Sequence, residues 1–421
     1  MAADRNSSAS SGQPEITLGA KTLSLCRGGR ARQGDAQIHT SNAATRNRLR
    51  QEPRQMSRTS NRDTPLSARY YTQPEWFEID KEKIFFRSWQ CVCHVSEIAE
   101  PGDFKTHTIV DEDVFVIRAA DGAINAYYNI CRHRGHPLVE GEGKGKRVLV
   151  CPYHAWTYEL NGRLRRAPGS VESDGLTCDQ INLRKIQVEE FCGFVFVNLD
   201  EDAAPMAEGL EEYRENLLSF HPDPTKLKFV CETEIEHDSN WKLSVENYNE
   251  CYHCPTVHAS SLAHGVLDTK QYTTIPRGKT IWHDGKAQTH NEKQYDYDVN
   301  ASPRAGDYGA YWIFPNVSMC CYPGGYFTIR QFLPVAWNKT IYRYRWFSSG
   351  DIADEDVIAL MHKHKETTGA EDEVVVSKIQ KGMQSRAFEP GPYVIGDGCG
   401  AMSEVGLRHF HNLYRDALEE S

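Results

Sequence analysis

Cys131-Arg132-His133 and, after seventeen intervening residues, Cys151-Pro152-Tyr153-His154 place two thiols and two imidazoles in one short stretch. That donor set suits a [2Fe-2S] cluster in which cysteine binds one iron and histidine the other. Further along, Glu250-Cys251-Tyr252-His253-Cys254-Pro255-Thr256-Val257-His258 supplies two more histidines beside a carboxylate. Two neutral imidazoles and one carboxylate make the facial triad of a mononuclear ferrous site, which leaves positions open for oxygen. An electron-transfer cluster upstream of an open iron site, in one chain, points to an oxygen-activating enzyme.

The same residues admit other chemistry. Zinc accepts two cysteines and two histidines tetrahedrally. Against it, Gly135 and Pro137 follow the first pair and Pro152 lies inside the second. Both pairs therefore sit on turns whose backbone N–H groups can face bridging sulfides. Cys251-x-x-Cys254 could be a thioredoxin-type pair, but such a motif opens a helix after a strand. Here it falls at a helix end and interleaves with His253, so small packing residues are the expectation.

The elements that must hold these groups follow from periodicity. Trp241 to His253 reads as a helix, on which Glu250 and His253 stand one turn apart and share a face. Pro255 then ends or bends that helix so that His258 returns toward His253. Upstream, a helical stripe of Trp76, Phe77, Ile79, Ile84 and Phe85 leads into short strands at Phe104 to Val110, Val114 to Ala119, Ala126 to Asn129, Arg147 to Val150 and Phe194 to Val197. Downstream, Lys228 to Ile235 reads as a strand, while Tyr326 to Leu333 and Thr340 to Phe347 read as a hairpin turning at Trp337-Asn338. Helices over Asp354 to Lys365, Asp372 to Gln384 and Gly406 to Leu418 complete the chain. The fold class expected is α+β.

Length and composition bound the partners. The chain of 421 residues, 39% hydrophobic, is long enough for two or three domains with sizeable cores. It lacks an apolar run long enough to span a membrane. A net charge of -10 without a basic, aromatic-interleaved stripe in its body argues against nucleic acid. The first sixty residues differ, with ten basic residues against four acidic ones. Rich in Ser, Asn, Gln and Gly, they are expected to be disordered, and their composition also fits an organellar transit peptide. The thirteen cysteines are spread along a chain with no secretory leader, which suggests reduced or metal-bound thiols and a cytoplasmic location. Cys91 and Cys93, and the vicinal pair Cys320 and Cys321, are expected to be structural.

Cys131 to Pro137, Cys-Arg-His-Arg-Gly-His-Pro, and Cys151 to Leu164, Cys-Pro-Tyr-His-Ala-Trp-Thr-Tyr-Glu-Leu-Asn-Gly-Arg-Leu, closely resemble the cluster loops of Rieske non-haem iron oxygenases. The resemblance extends over nearly everything from Thr64 to Leu418. It implies a disordered extension at 1–63, a helical lead-in at 64–88, an all-β Rieske domain at 89–200 and a catalytic domain at 201–421 with an antiparallel, helix-grip-like sheet. It also implies that Cys131, His133, Cys151 and His154 hold the [2Fe-2S] cluster, and that Trp156 covers it, with His136 left as a surface or interface histidine. His253 and His258 would hold Fe2+ with a carboxylate from the acidic run on a late helix. There Asp372 is the choice, and Glu371 and Glu373 are the register alternatives.

By the same resemblance Glu250 falls where relatives carry an acid bridging cluster and iron across a contact between subunits. Most relatives use Asp there, whereas Glu is similar to the branch acting on quaternary ammonium compounds. The implied protein is the oxygenase component of a two-part system, a homotrimer fed by an NADH-dependent reductase, which inserts oxygen from O2 into a small substrate. Tyr308, Tyr311, Trp312, Phe314, Tyr322, Tyr326 and Phe327 concentrate aromatics where the pocket is expected, and such a cage suits a trimethylammonium group. Hydroxylation or O-demethylation of an aromatic acid is the second possibility. A Rieske electron carrier without oxygen chemistry is a third, but it leaves His253, His258 and the large second domain without purpose.

Overall fold

The computed structural model describes residues 62–169, 181–287, 304, 307–350, 352–396 and 398–419. The basic extension to residue 61, on which the expectations of disorder and of a transit peptide fall, lies outside them. Order opens with two helices, α1 (Arg69–Thr72) and α2 (Pro74–Lys83), the second started by Pro74 in its first turn. Trp76, Ile79, Ile84 and Phe85 are buried as expected, and Phe77 is half-buried.

The next hundred residues contain only short strands: β1 (Gln90–His94), β2 (Phe104–Ile109), β3 (Glu112–Arg118), β4 (Ile124–Tyr128), β5 (Glu142–Gly143), β6 (Leu149–Val150), β7 (Thr157–Tyr158), β8 (Leu164–Arg166), β9 (Gln187–Phe191) and β10 (Phe194–Asn198). They form three sheets, ordered β1-β10-β9, β4-β3-β2-β5 and β6-β7-β8. Phe115, Tyr127, Leu149, Tyr158 and Leu164 close a core that also takes in Cys131, Cys151 and Trp156, so the cluster loops grow directly out of packed residues.

After helix α3 (Glu211–Phe220) the chain builds one seven-stranded antiparallel sheet. Its strands are β11 (Lys228–His237), β12 (Leu267–Arg277), β13 (Thr280–Ala287), β14 (Asp307–Ile313), β15 (Val317–Tyr322), β16 (Tyr326–Ala336) and β17 (Lys339–Ser348), in the order β11-β17-β16-β15-β14-β13-β12. The hairpin β16-β17 turns through Trp337-Asn338, as its alternation indicates. One face packs Tyr311, Val317, Met319, Phe327 and Phe347 against Phe194 and Phe196 of β10 and Tyr213 and Leu217 of α3. Because that face is covered by protein, β15 is buried along its whole length and shows no period of two.

Between β11 and β12 come helices α4 (Trp241–Tyr248), α5 (Cys254–Val257) and α6 (Leu262–Gly265), and after the sheet come α7 (Asp354–His364), α8 (Ala370–Met383) and α9 (Val405–Glu419). The expected helix from Trp241 to His253 is thus shorter, ending at Tyr248 with Asn249 as its cap. Gly406 explains why the chain must turn there. A methyl group at Gly406 would stand 2.1 Å from the Asn249 carbonyl oxygen, so α9 abuts the segment and blocks further helix.

The lead-in is locked to these helices by charge. Asp80 and Lys242 are both fully buried and pair at 2.5 Å, and Trp241 Nε1 (2.9 Å) and Tyr414 Oη (2.7 Å) also donate to the Asp80 carboxylate. Every lone pair the desolvated carboxylate needs to satisfy is therefore engaged. Asp80→Ala would leave the Lys242 ammonium buried without a counter-charge, and breaking such a pair costs about 3–5 kcal/mol. A loss of that size should appear as a lower urea midpoint at unchanged slope, whereas a midpoint within error of the parent protein would show that water reaches Lys242.

Candidate active site

The two cluster loops are copies of one turn. Cys131 N–H donates to the His136 carbonyl and Cys151 N–H to the Trp156 carbonyl, both at 2.8 Å, while Gly135 and Ala155 N–H donate back to the carbonyls of Cys131 and Cys151. Gly135 (φ 73°) and Ala155 (φ 56°) hold the equivalent left-handed position, which glycine adopts freely and alanine does not. Cys131 and Cys151 are buried beneath the loops, and His133 and His154 stand exposed on top with ring centroids 4.7 Å apart. Trp156 stacks on His133 at 4.8 Å and 3°, and the Tyr158 hydroxyl lies 3.3 Å from the Cys131 sulfur. Two sulfurs below and two imidazoles above fit a cluster with one iron facing protein and the other facing the surface. His136 is partly exposed and its Nδ1 lies 2.7 Å from the Pro137 carbonyl, outside this set.

The second set is built around a single helical turn. His253 is the N-cap and His258 the C-cap of α5, with Pro255 in its first turn, so a spacing that fits a long helix poorly brings the rings together. Their Nε2 atoms are 3.2 Å apart. Asp372, in the first turn of α8, brings Oδ1 to 3.1 Å from His258 Nε2 and 3.7 Å from His253 Nε2. That oxygen is buried and has no hydrogen-bond partner.

The opposite ring nitrogens are committed elsewhere. His253 Nδ1 lies 2.5 Å from Glu250 Oε1, and His258 Nδ1 lies 2.7 Å from Glu371 Oε2, which also accepts from Ser261. A carboxylate at Nδ1 places the proton there and turns the Nε2 lone pair inward. Two lone pairs and a carboxylate oxygen then converge with no hydrogen between them, an arrangement only a cation can occupy stably. Burial opposes charge on His258, yet Asp372 and Glu371 together push its imidazole up to about 9 when no metal competes. Burial likewise opposes charge on Asp372, and the two histidines pull it below the ordinary carboxylate range.

The acidic run is sorted by helix geometry. Asp372 faces the histidine pair, Glu371 backs His258 from behind, and Glu373 accepts a hydrogen bond from Ser377. Glu250 does not share a helix face with His253, because the helix has already ended. It sits in a turn where its Oε2 accepts the N–H groups of Tyr252 and His253 and its Oε1 faces the ring. Cys251 and Cys254 also depart from expectation. They are joined in a disulfide rather than being free packing residues, because the turn after Tyr248 brings their Cα atoms to 4.9 Å.

The adjoining cavity is lined by Tyr248, Tyr272, Tyr308, Tyr322, Arg330 and His364 as well as the histidines and Asp372. Of the seven aromatics expected there, only Tyr308 and Tyr322 reach it. Tyr311 and Phe327 point into the core on the far face, and Trp312 packs on Phe314 and Phe410. Tyr248, Tyr272, Arg330 and His364 carry no local signal, since each comes from a different element and only the fold assembles them.

A cysteine–histidine cluster platform in a β domain, followed by a two-histidine, one-carboxylate centre over an antiparallel sheet, defines the class of Rieske oxygenases. Residues 88–186 match the Rieske [2Fe-2S] domain and residues 224–420 the ring hydroxylating alpha subunit (catalytic domain). The carnitine monooxygenase oxygenase subunit of Escherichia coli (strain K12) is 31% identical over 358 residues, 84% of this chain and 94% of that protein. The glycine betaine monooxygenase oxygenase subunit of Pseudomonas aeruginosa (strain UCBPP-PA14) is 29% identical over 86% of this chain and 91% of its own length. A solved quaternary ammonium Rieske monooxygenase superposes with a TM-score of 0.78 at 30% identity, covering 85% of this chain and 97% of that one. The chain belongs to the Rieske non-haem iron oxygenases, as an oxygenase alpha subunit. It is an O2-dependent oxidoreductase whose cofactors are a [2Fe-2S] cluster and a mononuclear iron, which sets aside both the zinc protein and the bare electron carrier. No helix among the described residues is long and apolar enough to cross a membrane.

Proposed function

We propose that this chain is the terminal oxygenase of a two-component system that receives NADH electrons through a separate reductase and hydroxylates or oxidatively demethylates a small quaternary ammonium compound. The observation that carries the proposal is Glu250 on His253 Nδ1. It puts a carboxylate, with the extra methylene of glutamate, between an iron ligand and the exposed turn at Tyr252. The relatives named above act on carnitine and glycine betaine.

In this assignment Cys131 and Cys151 bind one cluster iron and His133 and His154 the other, while His253, His258 and Asp372 bind the mononuclear iron. The metals, when bound, supply electron storage and oxygen activation. The chain's own residues do the positioning. Glu250 and Glu371 fix the histidine tautomers, Ser261 steadies Glu371, and the tyrosines give the cavity faces that attract an onium group. With His133 and His154 on the surface of the β domain, a homotrimer in which the cluster of one protomer serves the iron of its partner is the assembly proposed. The related quaternary ammonium monooxygenase is described in terms of inter-subunit electron transfer. Nine described cysteines are free thiols, which suits a reducing, cytoplasmic location.

The test is NADH-coupled oxygen uptake with product analysis on a panel of betaines, choline and aromatic acids. Stoichiometric product from an onium compound, with three irons per chain, is expected. Product only from aromatic acids would replace the substrate class.

A further inference from the structure

Arg330, in the middle of β16, is buried and lines the cavity that the histidines and Asp372 open into. Its surroundings are all neutral. The guanidinium donates to the Tyr322 hydroxyl at 2.5 Å, and more distantly to Thr328 Oγ1 (3.4 Å) and the Tyr342 hydroxyl (3.5 Å). Its carbon lies over the rings of Tyr248, Tyr322 and Tyr344 at 5.5, 5.3 and 5.2 Å. Among the described residues no carboxylate pairs with it.

The other buried cations are treated differently. Arg345, on the neighbouring strand β17, pairs with both Glu97 and Glu232, and Lys242 pairs with Asp80. Burial of a charge is costly unless an opposite charge compensates it, so a lone buried guanidinium on a cavity wall is a group awaiting a partner. His364 beside it does not fill that role. Its Nδ1 meets the Tyr322 hydroxyl at 3.1 Å, its Nε2 is buried without a partner, and burial with Arg330 nearby keeps it neutral.

We infer that Arg330 binds a carboxylate of the substrate, and so restricts this oxygenase to carboxylated onium compounds, the betaines, over choline and other alcohols. The onium half rests on the function proposed above; the carboxylate half rests on Arg330 alone. A guanidinium presents planar, paired donors that match a carboxylate. The tyrosines around it hold its plane in place, while Tyr272 and Tyr308 leave ring faces for the onium end. A substrate with an onium group and no acid would instead bring a second positive charge into a cavity that already holds an uncompensated one.

The experiment compares carnitine and γ-butyrobetaine with their methyl esters and with choline, in binding calorimetry and in product formation by the holoenzyme. The parent protein is expected to favour each free acid over its ester by about 100-fold or more, as for a charged hydrogen-bonding group left unpaired by the analogue. Arg330→Gln should bring that ratio to within a few-fold of one, with cluster spectrum and iron content unchanged, and Arg330→Lys should restore part of it. Equal binding of acid and ester by the parent protein overturns the inference even if the variants do not fold, and so does a ratio that survives in Arg330→Gln. If the enzyme takes no onium compound but favours an aromatic acid over its ester through Arg330, the carboxylate assignment stands and the quaternary ammonium proposal fails.

Discussion

An Asp372→Ala protein will keep its cluster spectrum and lose both its mononuclear iron and turnover. Asp372 offers the one buried carboxylate oxygen that faces both Nε2 atoms without a hydrogen bond of its own. Removing it leaves two neutral imidazoles, too few donors for a ferrous ion. The cluster is held in a different packed core, so its visible and paramagnetic signatures should not move. The neighbours in the acidic run grade the effect. Glu371→Ala should weaken iron binding or activity by about 10–100-fold, as expected for a carboxylate acting through a ligand's second nitrogen. Glu373→Ala should change little, since that side chain caps Ser377 instead. Iron retained in Asp372→Ala but lost in either glutamate variant would move the ligand to that register.

Glu250→Gln will separate reduction from oxygenation. The amide oxygen still accepts the N–H groups of Tyr252 and His253, so the turn keeps its shape. What goes is the negative charge on His253 Nδ1 and the tautomer it enforces. With both metals in place, the reductase should reduce the cluster at the parent rate, while product in a single turnover falls by about 100-fold, the upper end for a partner acting through a metal ligand. Near-normal product would remove Glu250 from the electron path. It would also remove the glutamate as an argument for an onium substrate.

The ligand pairs were legible because each is local. Cys131 with His133, Cys151 with His154, and His253 with His258 declare themselves within a few residues, and the turns that hold them are marked by Gly135, Pro152 and Pro255. What the sequence could not convey is what lies between. The helix ends at Tyr248 only because Gly406, far away on α9, lets that helix abut Asn249. The acidic run offers three equal carboxylates until α8 is docked and rotates one of them inward. Aromatic density misled for a related reason. Tyr311 and Trp312 are neighbours in sequence but point to opposite faces of β14, and with both faces buried nothing in the pattern says which one meets the cavity. Arg330 and Asp80 were silent because an isolated charge within an apolar stretch looks like an exception until its partner, or its lack of one, is in view.

The single turn between His253 and His258 also bears on the order in which the chain assembles. One helical turn has no stability of its own, since it pays for nucleation and gains almost no propagation. α5 exists because Glu250 caps it from before, and because Glu371, 113 residues later than His258, holds the ring at its end. Closing so long a loop comes late in folding, after the antiparallel sheet has brought α8 into range. The iron centre is therefore a finishing contact rather than a nucleus, unlike a zinc finger that cannot fold before it is metallated. The scaffold can be complete, cluster domain included, before the iron that makes it an oxygenase arrives.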